Sequence, residues 1–357
     1  MKLLTIIGAR PQFVKAAVVS RAFSKDGKID EKIIHTGQHY DENMSKQFFS
    51  EMDIPLPLVN LGINQMEPTL LIESMVVEIK KQIKNIQPHA LLVYGDTYST
   101  LAGALAANES NTPLVHVEAG LRSFNKEMPE ERNRVLTDQF SNLLFCPTEV
   151  AMQNLQNTND DVAGRKILFS GDVMLDAMLY YKEKALSQDS AFADLMNNDF
   201  VLCTFHRHEN IENDEILSTF IESLNEVHEK IPVVCPMHPH TAKRIKALGL
   251  KLNIHILAPV GYFEMIRLLN TCKIVITDSG GLQKESFFNK KICVCLRGET
   301  EWVELANDGY VLLTEMNTTK IMDALNTALT SHKNFNEMYY GTGQAGPFIA
   351  QNIFNLI

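Results

Sequence analysis

Residues 2–19, KLLTIIGARPQFVKAAVV, hold an apolar run, one glycine, an Arg-Pro pair and then apolar positions at helical spacing. A short run rich in Leu and Ile that stops at Gly8 predicts a buried strand, and Pro11 suits the first turn of a helix. The same strand–turn–helix unit recurs along the chain. The runs LLTIIG (3–8), KIIHTG (32–37), ALLVYGD (90–96), PLVHVE (113–118), LLFCPT (143–148) and KILFSG (166–171) are separated by longer stretches. Two of those stretches, Glu73–Ile86 and Tyr98–Asn108, are patterned as helices. A second series follows: FVLCTF (200–205), PVVCPM (232–237), IHIL (254–257), KIVIT (273–277), KICVCL (291–296) and YVLL (310–313). Alternating strand and helix of this kind give a parallel sheet covered on both faces. At about 150 residues per domain, 357 residues make two domains. The polar interval Ser187–Asp199 separates the two series, although a hinge near Gly171 is equally consistent. The expected fold is α/β: two Rossmann-like, doubly wound domains facing across a cleft, residues 1–171 and 172–340, with a last helix over about 341–357 that packs back on the first.

Composition narrows the function. Hydrophobic residues are 45% and charged residues 21%, as in a globular enzyme rather than a disordered chain. A formal charge of −10 argues against a general nucleic-acid or membrane-surface binder. No uncharged apolar run approaches the roughly 18–20 residues that span a bilayer. The opening LLTII is too short for a secretory signal, meets Arg10 at once and precedes no small-residue cleavage site, so it reads as a buried strand. Six cysteines are scattered without a CxxC pair, which supports neither a zinc ribbon nor a disulfide framework and points to a reducing cytoplasm.

In sheets of this type ligands bind beyond the carboxyl ends of the strands. Those positions carry Gly8-Ala9-Arg10-Pro11, Gly37-Gln38-His39, Gly95-Asp96-Thr97, Glu118-Ala119-Gly120, His206-Arg207-His208-Glu209, His238-Pro239-His240 and Asp278-Ser279-Gly280-Gly281. Two of them read as anion sites. At the first, free helix-start amides beside Arg10 and Lys15 would receive a phosphate, or the segment is simply a solvated basic helix start. At the second, the Ser279-Gly280-Gly281 turn exceeds what capping needs and would cradle a diphosphate, with Glu285 accepting from ribose hydroxyls. The plainer alternative there is a helix capped by Ser279 or Asp278. Asp96, Glu118 and Glu130-Glu131 are carboxylates at strand ends or in a first helical turn, suited to proton transfer or to stabilising a developing cation. Arg132 and Arg134 are their expected partners. The HxH spacings at 206–208 and 238–240 suggest zinc, but no third ligand is evident, and His206 fits better as a donor to a departing phosphate.

One match misleads. Gly341-Thr342-Gly343-Gln344-Ala345-Gly346 spells GxGxxG, yet it follows NEMYY rather than a strand and leaves eleven residues for a unit that needs about 30. It reads as a turn before a short helix. No bound nicotinamide and no other cofactor or metal is expected.

Taken together, GARPQFVKAA, TGQHYD, YGDTYST, HVEAGLRS, PEERNR, FHRHEN, MHPHT and TDSGGLQKE resemble, in order and spacing, the non-hydrolysing UDP-N-acetylglucosamine 2-epimerases. The resemblance covers essentially the whole chain. It implies the GT-B arrangement of two Rossmann-like domains, a homodimer, no cofactor, and a role in bacterial polysaccharide-precursor synthesis. Asp96, Glu118 and Glu130 match the family's catalytic carboxylates, and His206 the histidine on the UDP side. Arg10 and Lys15 match diphosphate-side contacts, and Ser279, Gly280, Gly281 and Glu285 the UDP-binding loop. Trp302 stands where the family often has Arg, and Met265 where it often has Phe. These departures, with GARPQF and GQHYDEN, are similar to a subgroup acting on UDP-2,3-diacetamido-2,3-dideoxy-glucuronate; UDP-N-acetylglucosamine is the other candidate substrate. Gln38 is present from a regulatory site of the family, but Asp41 replaces its second glutamine, which implies absent or altered regulation.

The implied chemistry has its own logic. The C2 hydrogen lies beside no carbonyl, so C1–O cleavage must come first to make it acidic. UDP therefore departs and returns through a 2-acetamidoglycal, and acids around C1 and C2 stabilise the cation and move the proton. Three other functions share features with this reading: a GT-B glycosyltransferase, a hydrolysing 2-epimerase and a non-catalytic sugar-nucleotide sensor.

Overall fold

The computed structural model describes residues 1–38, 49, 51–157, 164–189 and 192–356. His39, Tyr40 and Asp41, and with them the reading of the regulatory site, lie outside the described residues. The chain forms two compact units. The first comprises Met1–Ala177 with Met338–Ile357, and the second Met178–Glu337. The chain leaves the first unit within the helix Val173–Leu186.

Each unit is built on one parallel sheet. The first sheet has seven strands: β1 (Lys2–Ile7), β2 (Asp30–His35), β3 (Val59–Asn60), β4 (Ala90–Tyr94), β5 (Leu114–Val117), β6 (Leu143–Cys146) and β7 (Lys166–Phe169), in the order β3-β2-β1-β4-β5-β6-β7. The second has six: β8 (Val201–Thr204), β9 (Val233–Pro236), β10 (His255–Leu257), β11 (Ile274–Thr277), β12 (Cys293–Cys295) and β13 (Val311–Leu313), in the order β10-β9-β8-β11-β12-β13. All strand pairs are parallel. Every apolar run read from the sequence is a strand, because a strand covered on both faces has no polar alternation to show.

Core packing explains the helices. In the first unit, Met75, Ile79 and Ile83 of the helix Pro68–Ile86 bury against Ile6, Leu91 and Val93 of the sheet, together with Ala102 and Ala106 of the helix Tyr98–Glu109. In the second, Leu217, Phe220 and Leu224 of the helix Asp214–Lys230 and Ile321 and Leu325 of the helix Thr318–Thr330 cover Val201, Cys203, Ile274 and Ile276. The helix Ala345–Asn352 returns onto the helix Arg10–Asp26, where Gly346 lies against Val18. Among the described residues no helix is long and apolar enough to cross a membrane.

Both sheets have a switch point, where successive connections leave in opposite directions: between β1 and β4 in the first, and between β8 and β11 in the second. Loops leaving neighbouring strands at such a point diverge and leave a crevice for ligands. Arg10 and Asp96 follow β1 and β4; His206 and Ser279 follow β8 and β11.

Candidate functional site

The β1 turn is tied to its own helix by Gln12. The amides of Gly8 and Ala9 do not await an anion: both donate to Gln12 Oε1, at 2.8 and 3.1 Å. Gln12 Nε2 in turn donates to the Tyr94 carbonyl and to Thr100 Oγ1, each at 3.0 Å. A glutamine at the third position of a helix can turn back to satisfy its own start. Lys15, read as a diphosphate-side contact, is buried, and its ammonium pairs with the Glu118 carboxylate. Arg10, half-buried at the start of the helix, is the remaining diphosphate contact read from this turn.

That ion pair lies directly over the turn that carries Asp96. A Cβ on Gly95 would stand 2.9 Å from Lys15 Nζ and 3.3 Å from Glu118 Oε1, and Gly95 has φ +62°; only glycine fits there. Asp96 is partly exposed, and its Oδ2 accepts from Nε (3.1 Å) and Nη2 of Arg134. Nη1 of the same guanidinium donates to Glu131 at 2.9 Å. Glu131 is structural: it is buried and accepts from the amides of Ser123 (2.8 Å) and Phe124 (3.1 Å). Arg132 points elsewhere, to the carbonyls of Lys126 and Glu127.

Glu118 adopts φ +72°, a left-handed backbone that a non-glycine residue holds only under tight constraint. The constraint is visible: its own amide and that of Ala119 both donate to the Phe145 carbonyl, at 3.1 and 3.0 Å. A buried polar hub ties this loop to the Asp96 loop. His116 is fully buried, with Nδ1 2.7 Å from Asp138 Oδ1 and Nε2 2.7 Å from the Gly95 carbonyl oxygen. Asp138 also accepts from the Gly120 amide (3.2 Å) and from Arg122 (2.6 Å). Burial pushes the Asp138 carboxyl up, but His116 and Arg122 outweigh it and hold the group below the usual carboxylate range.

Glu130, in the first turn of the helix Pro129–Phe140, is half-buried and forms no hydrogen bond or ion pair among the described residues. Its charge reaches Tyr98, two residues beyond Asp96. The Tyr98 hydroxyl is raised above its ordinary pKa first by burial and then by Glu130.

In the second unit the loops after β8 and β11 are joined by Asp278, which is fully buried. Its carboxylate accepts from the amides of His206 (3.0 Å) and Arg207 (2.9 Å) and from Asn210 Nδ2 (3.1 Å). It thereby holds His206 at the rim, its side chain 58% exposed. The capping question is settled by Ser279, whose Oγ accepts from the Leu282 amide at 3.5 Å and caps the helix Gly280–Phe288. Gly280 and Gly281 occupy the first turn, where amides have no intrahelical acceptor. Glu285 is buried one turn further on. The departures noted in the sequence have definite places. Met265 is half-buried in the helix Tyr262–Thr271, and Trp302 is buried with its indole N–H donating to the Gly280 carbonyl at 2.9 Å.

His238 accepts the His240 amide at its helix start (3.2 Å), and His240 faces Glu212 (3.4 Å). Among the described residues no group of three His, Cys, Asp or Glu side chains could hold a metal ion. The GTGQAG turn has its anion position filled from within: Asp176 accepts the amides of Ala345 (3.0 Å) and Gly346 (2.8 Å). Burial pushes the Asp176 carboxyl up to about 6.

Parallel α/β sheets with carboxylates at one switch point and a glycine turn at another define an enzyme of the nucleotide-sugar class. The family model for UDP-N-acetylglucosamine 2-epimerase matches residues 21–354, and the chain belongs to that family of carbohydrate isomerases. It is 47% identical to the UDP-2,3-diacetamido-2,3-dideoxy-D-glucuronate 2-epimerase of Pseudomonas aeruginosa over the full length of both chains. It is 38% identical to the UDP-N-acetylglucosamine 2-epimerase of Methanocaldococcus jannaschii over 98% of each. Among solved structures, the Methanocaldococcus jannaschii enzyme in complex with UDP-GlcNAc and UDP superposes with TM-score 0.92 at 37% identity, covering 99% of this chain and 100% of that one. The Neisseria meningitidis enzyme bound to UDP-GlcNAc superposes with TM-score 0.88 at 28% identity, with the same coverage.

Proposed function

We propose that this chain inverts C2 of a UDP-linked 2-acetamido sugar, gluco to manno, by elimination and re-addition of UDP. UDP-2,3-diacetamido-2,3-dideoxy-glucuronate is the first candidate substrate, supported by the 47% identical relative of that name, and UDP-N-acetylglucosamine is the second. One observation carries the mechanistic assignment. Asp96 and Glu118 each face a buried cation, whereas Glu130, at the same sheet edge, faces none among the described residues. A carboxylate held in place by Arg or Lys suits stabilisation of charge at C1; one held by no cation is free to turn toward C2 and take its proton.

In the forward step the C1–O bond breaks with its electron pair going to the UDP β-phosphate oxygen. The C2–H electron pair becomes the C1=C2 bond, and the proton passes to Glu130 or to a neighbouring acid. Asp96 and Glu118 stabilise the positive charge at C1. His206 donates to the departing phosphate, Arg10 contacts the diphosphate, and the Ser279-Gly280-Gly281 turn and Glu285 hold UDP. Re-protonation of the glycal from the opposite face and return of UDP give the epimer. Lys15 serves this scheme as the counter-ion of Glu118 rather than as a phosphate ligand.

A homodimer is the assembly the family resemblance implies, and exposed apolar side chains on the first unit, Leu70 and Val77 two turns apart on one helix among them, are compatible with it. Six buried, unbridged cysteines favour the cytoplasm, and the family resemblance implies a role in polysaccharide-precursor synthesis. The test is incubation of the protein with each UDP-sugar separately, with products read by NMR. The manno epimer still linked to UDP is the expected product. Free sugar identifies a hydrolase, dependence on an added acceptor a transferase, and two unchanged sugars a sensor.

A further inference from the structure

We propose that Trp302 is a positioning residue that aims the diphosphate-binding amide of Gly281. The inference rests on the reading of the Ser279-Gly280-Gly281 turn as the UDP site. A trans peptide is planar, so the Gly280 carbonyl and the Gly281 N–H point in opposite directions. A group that fixes the carbonyl therefore fixes the line of the N–H.

The indole of Trp302 does this. Its Nε1 donates to the Gly280 oxygen at 2.9 Å, and Trp302 is 2% exposed. The ring itself cannot turn freely, because the Lys284 ammonium lies 4.5 Å from its centroid and Lys284 is also 2% exposed. One contact fixes the edge of the indole and the other its face. The backbone that carries Trp302 is pinned as well. Its amide donates to Thr300 Oγ1 at 3.1 Å, and that hydroxyl donates to Gln283 Oε1, in the turn's own helix, at 2.7 Å. On the opposite side Gly281 is exposed, and a Cβ built there meets nothing within 4 Å. The turn is thus braced at the Gly280 carbonyl, while Gly281 is exposed.

Trp302→Phe keeps an aromatic face for Lys284 and removes only the N–H. By calorimetry, its Kd for UDP rises roughly 3- to 10-fold, the range for one neutral hydrogen bond. The KM for the UDP-sugar rises with it, and kcat falls far less than in the carboxylate variants, because the carboxylate edge is untouched. A residue that only fills space would lower Tm and leave Kd unchanged, and that result overturns the proposal. A second measurement needs no variant. Trp302 is the only tryptophan in the chain, so its emission changes on titration with UDP, with the Kd that calorimetry gives. Binding seen by calorimetry with constant emission, together with an unchanged Kd in Trp302→Phe, overturns this inference alone. If UDP does not bind the unmodified protein, the functional reading fails and takes this inference with it.

Discussion

The two sheet edges solve different problems with different materials. The edge of the first unit is built from charged side chains held in place by ion pairs: Lys15 with Glu118, Arg134 with both Asp96 and Glu131, Arg122 with Asp138. The edge of the second is built from backbone: two glycines, a serine cap and a carbonyl braced by an indole. Charges fixed in advance suit a reaction whose charge develops at carbon. Backbone amides at a helix start suit an anion that must be held, released and recaptured. Substitutions at the first edge should therefore act mainly on turnover, and those at the second mainly on affinity.

That contrast breaks most visibly at the acids. Asp96→Asn, Glu118→Gln and Glu130→Gln are each expected to lower turnover by at least about 10²-fold with little change in UDP affinity. At the other edge, Gly280→Ala places a Cβ 2.3 Å from Glu301 Oε1, whose carboxylate is pinned by Arg297 at 2.9 Å. Its expected effect is a loss of UDP affinity of roughly tenfold, about 1.4 kcal/mol, with kcat retained. Steady-state kinetics and calorimetry on the four variants check both halves, and equal effects on kcat and Kd in all four would dissolve the contrast.

A stability difference follows from the same comparison. Removing the Asp138 charge leaves Arg122 and His116 without their buried partner, and breaking such a pair costs about 3–5 kcal/mol. Asp138→Asn should therefore lower Tm markedly at neutral pH. Because the folded carboxyl titrates below its ordinary 3.8, its contribution is present above that pH and is lost as pH falls through the lowered folded value. Thermal melts from neutral pH into acid should show the gap between wild type and variant closing only in strong acid. A gap that closes near pH 6 would mean that Asp138 is not the group responsible.

The fold was readable because parallel strands buried on both faces are unbroken apolar runs, and each run proved to be a strand. β3 was not, since Val59–Asn60 is two residues long and is recruited at the sheet edge by pairing with Ile34 and His35 rather than by its own pattern. The candidate acids were readable for a local reason: each follows a strand or opens a helix. What could not be read were partners distant in sequence. Lys15 lies 103 residues from Glu118, Asp278 lies 72 from His206, and Trp302 lies 22 from Gly280. Nothing in the local pattern of these residues records which group the fold will bring to them. Gln12 is the exception, because a glutamine at the third helical position is a local signal that the Gly8 and Ala9 amides are already satisfied.

The central claim is that C2 inverts by loss and return of its proton while UDP stays at hand. Incubation of the protein with each UDP-sugar in D2O, followed by proton and phosphorus NMR, tests it directly. The account predicts deuterium at C2 in the epimer, an intact UDP linkage at equilibrium, and loss of that exchange in Glu130→Gln. Epimer formed with the original C2 hydrogen retained would contradict it.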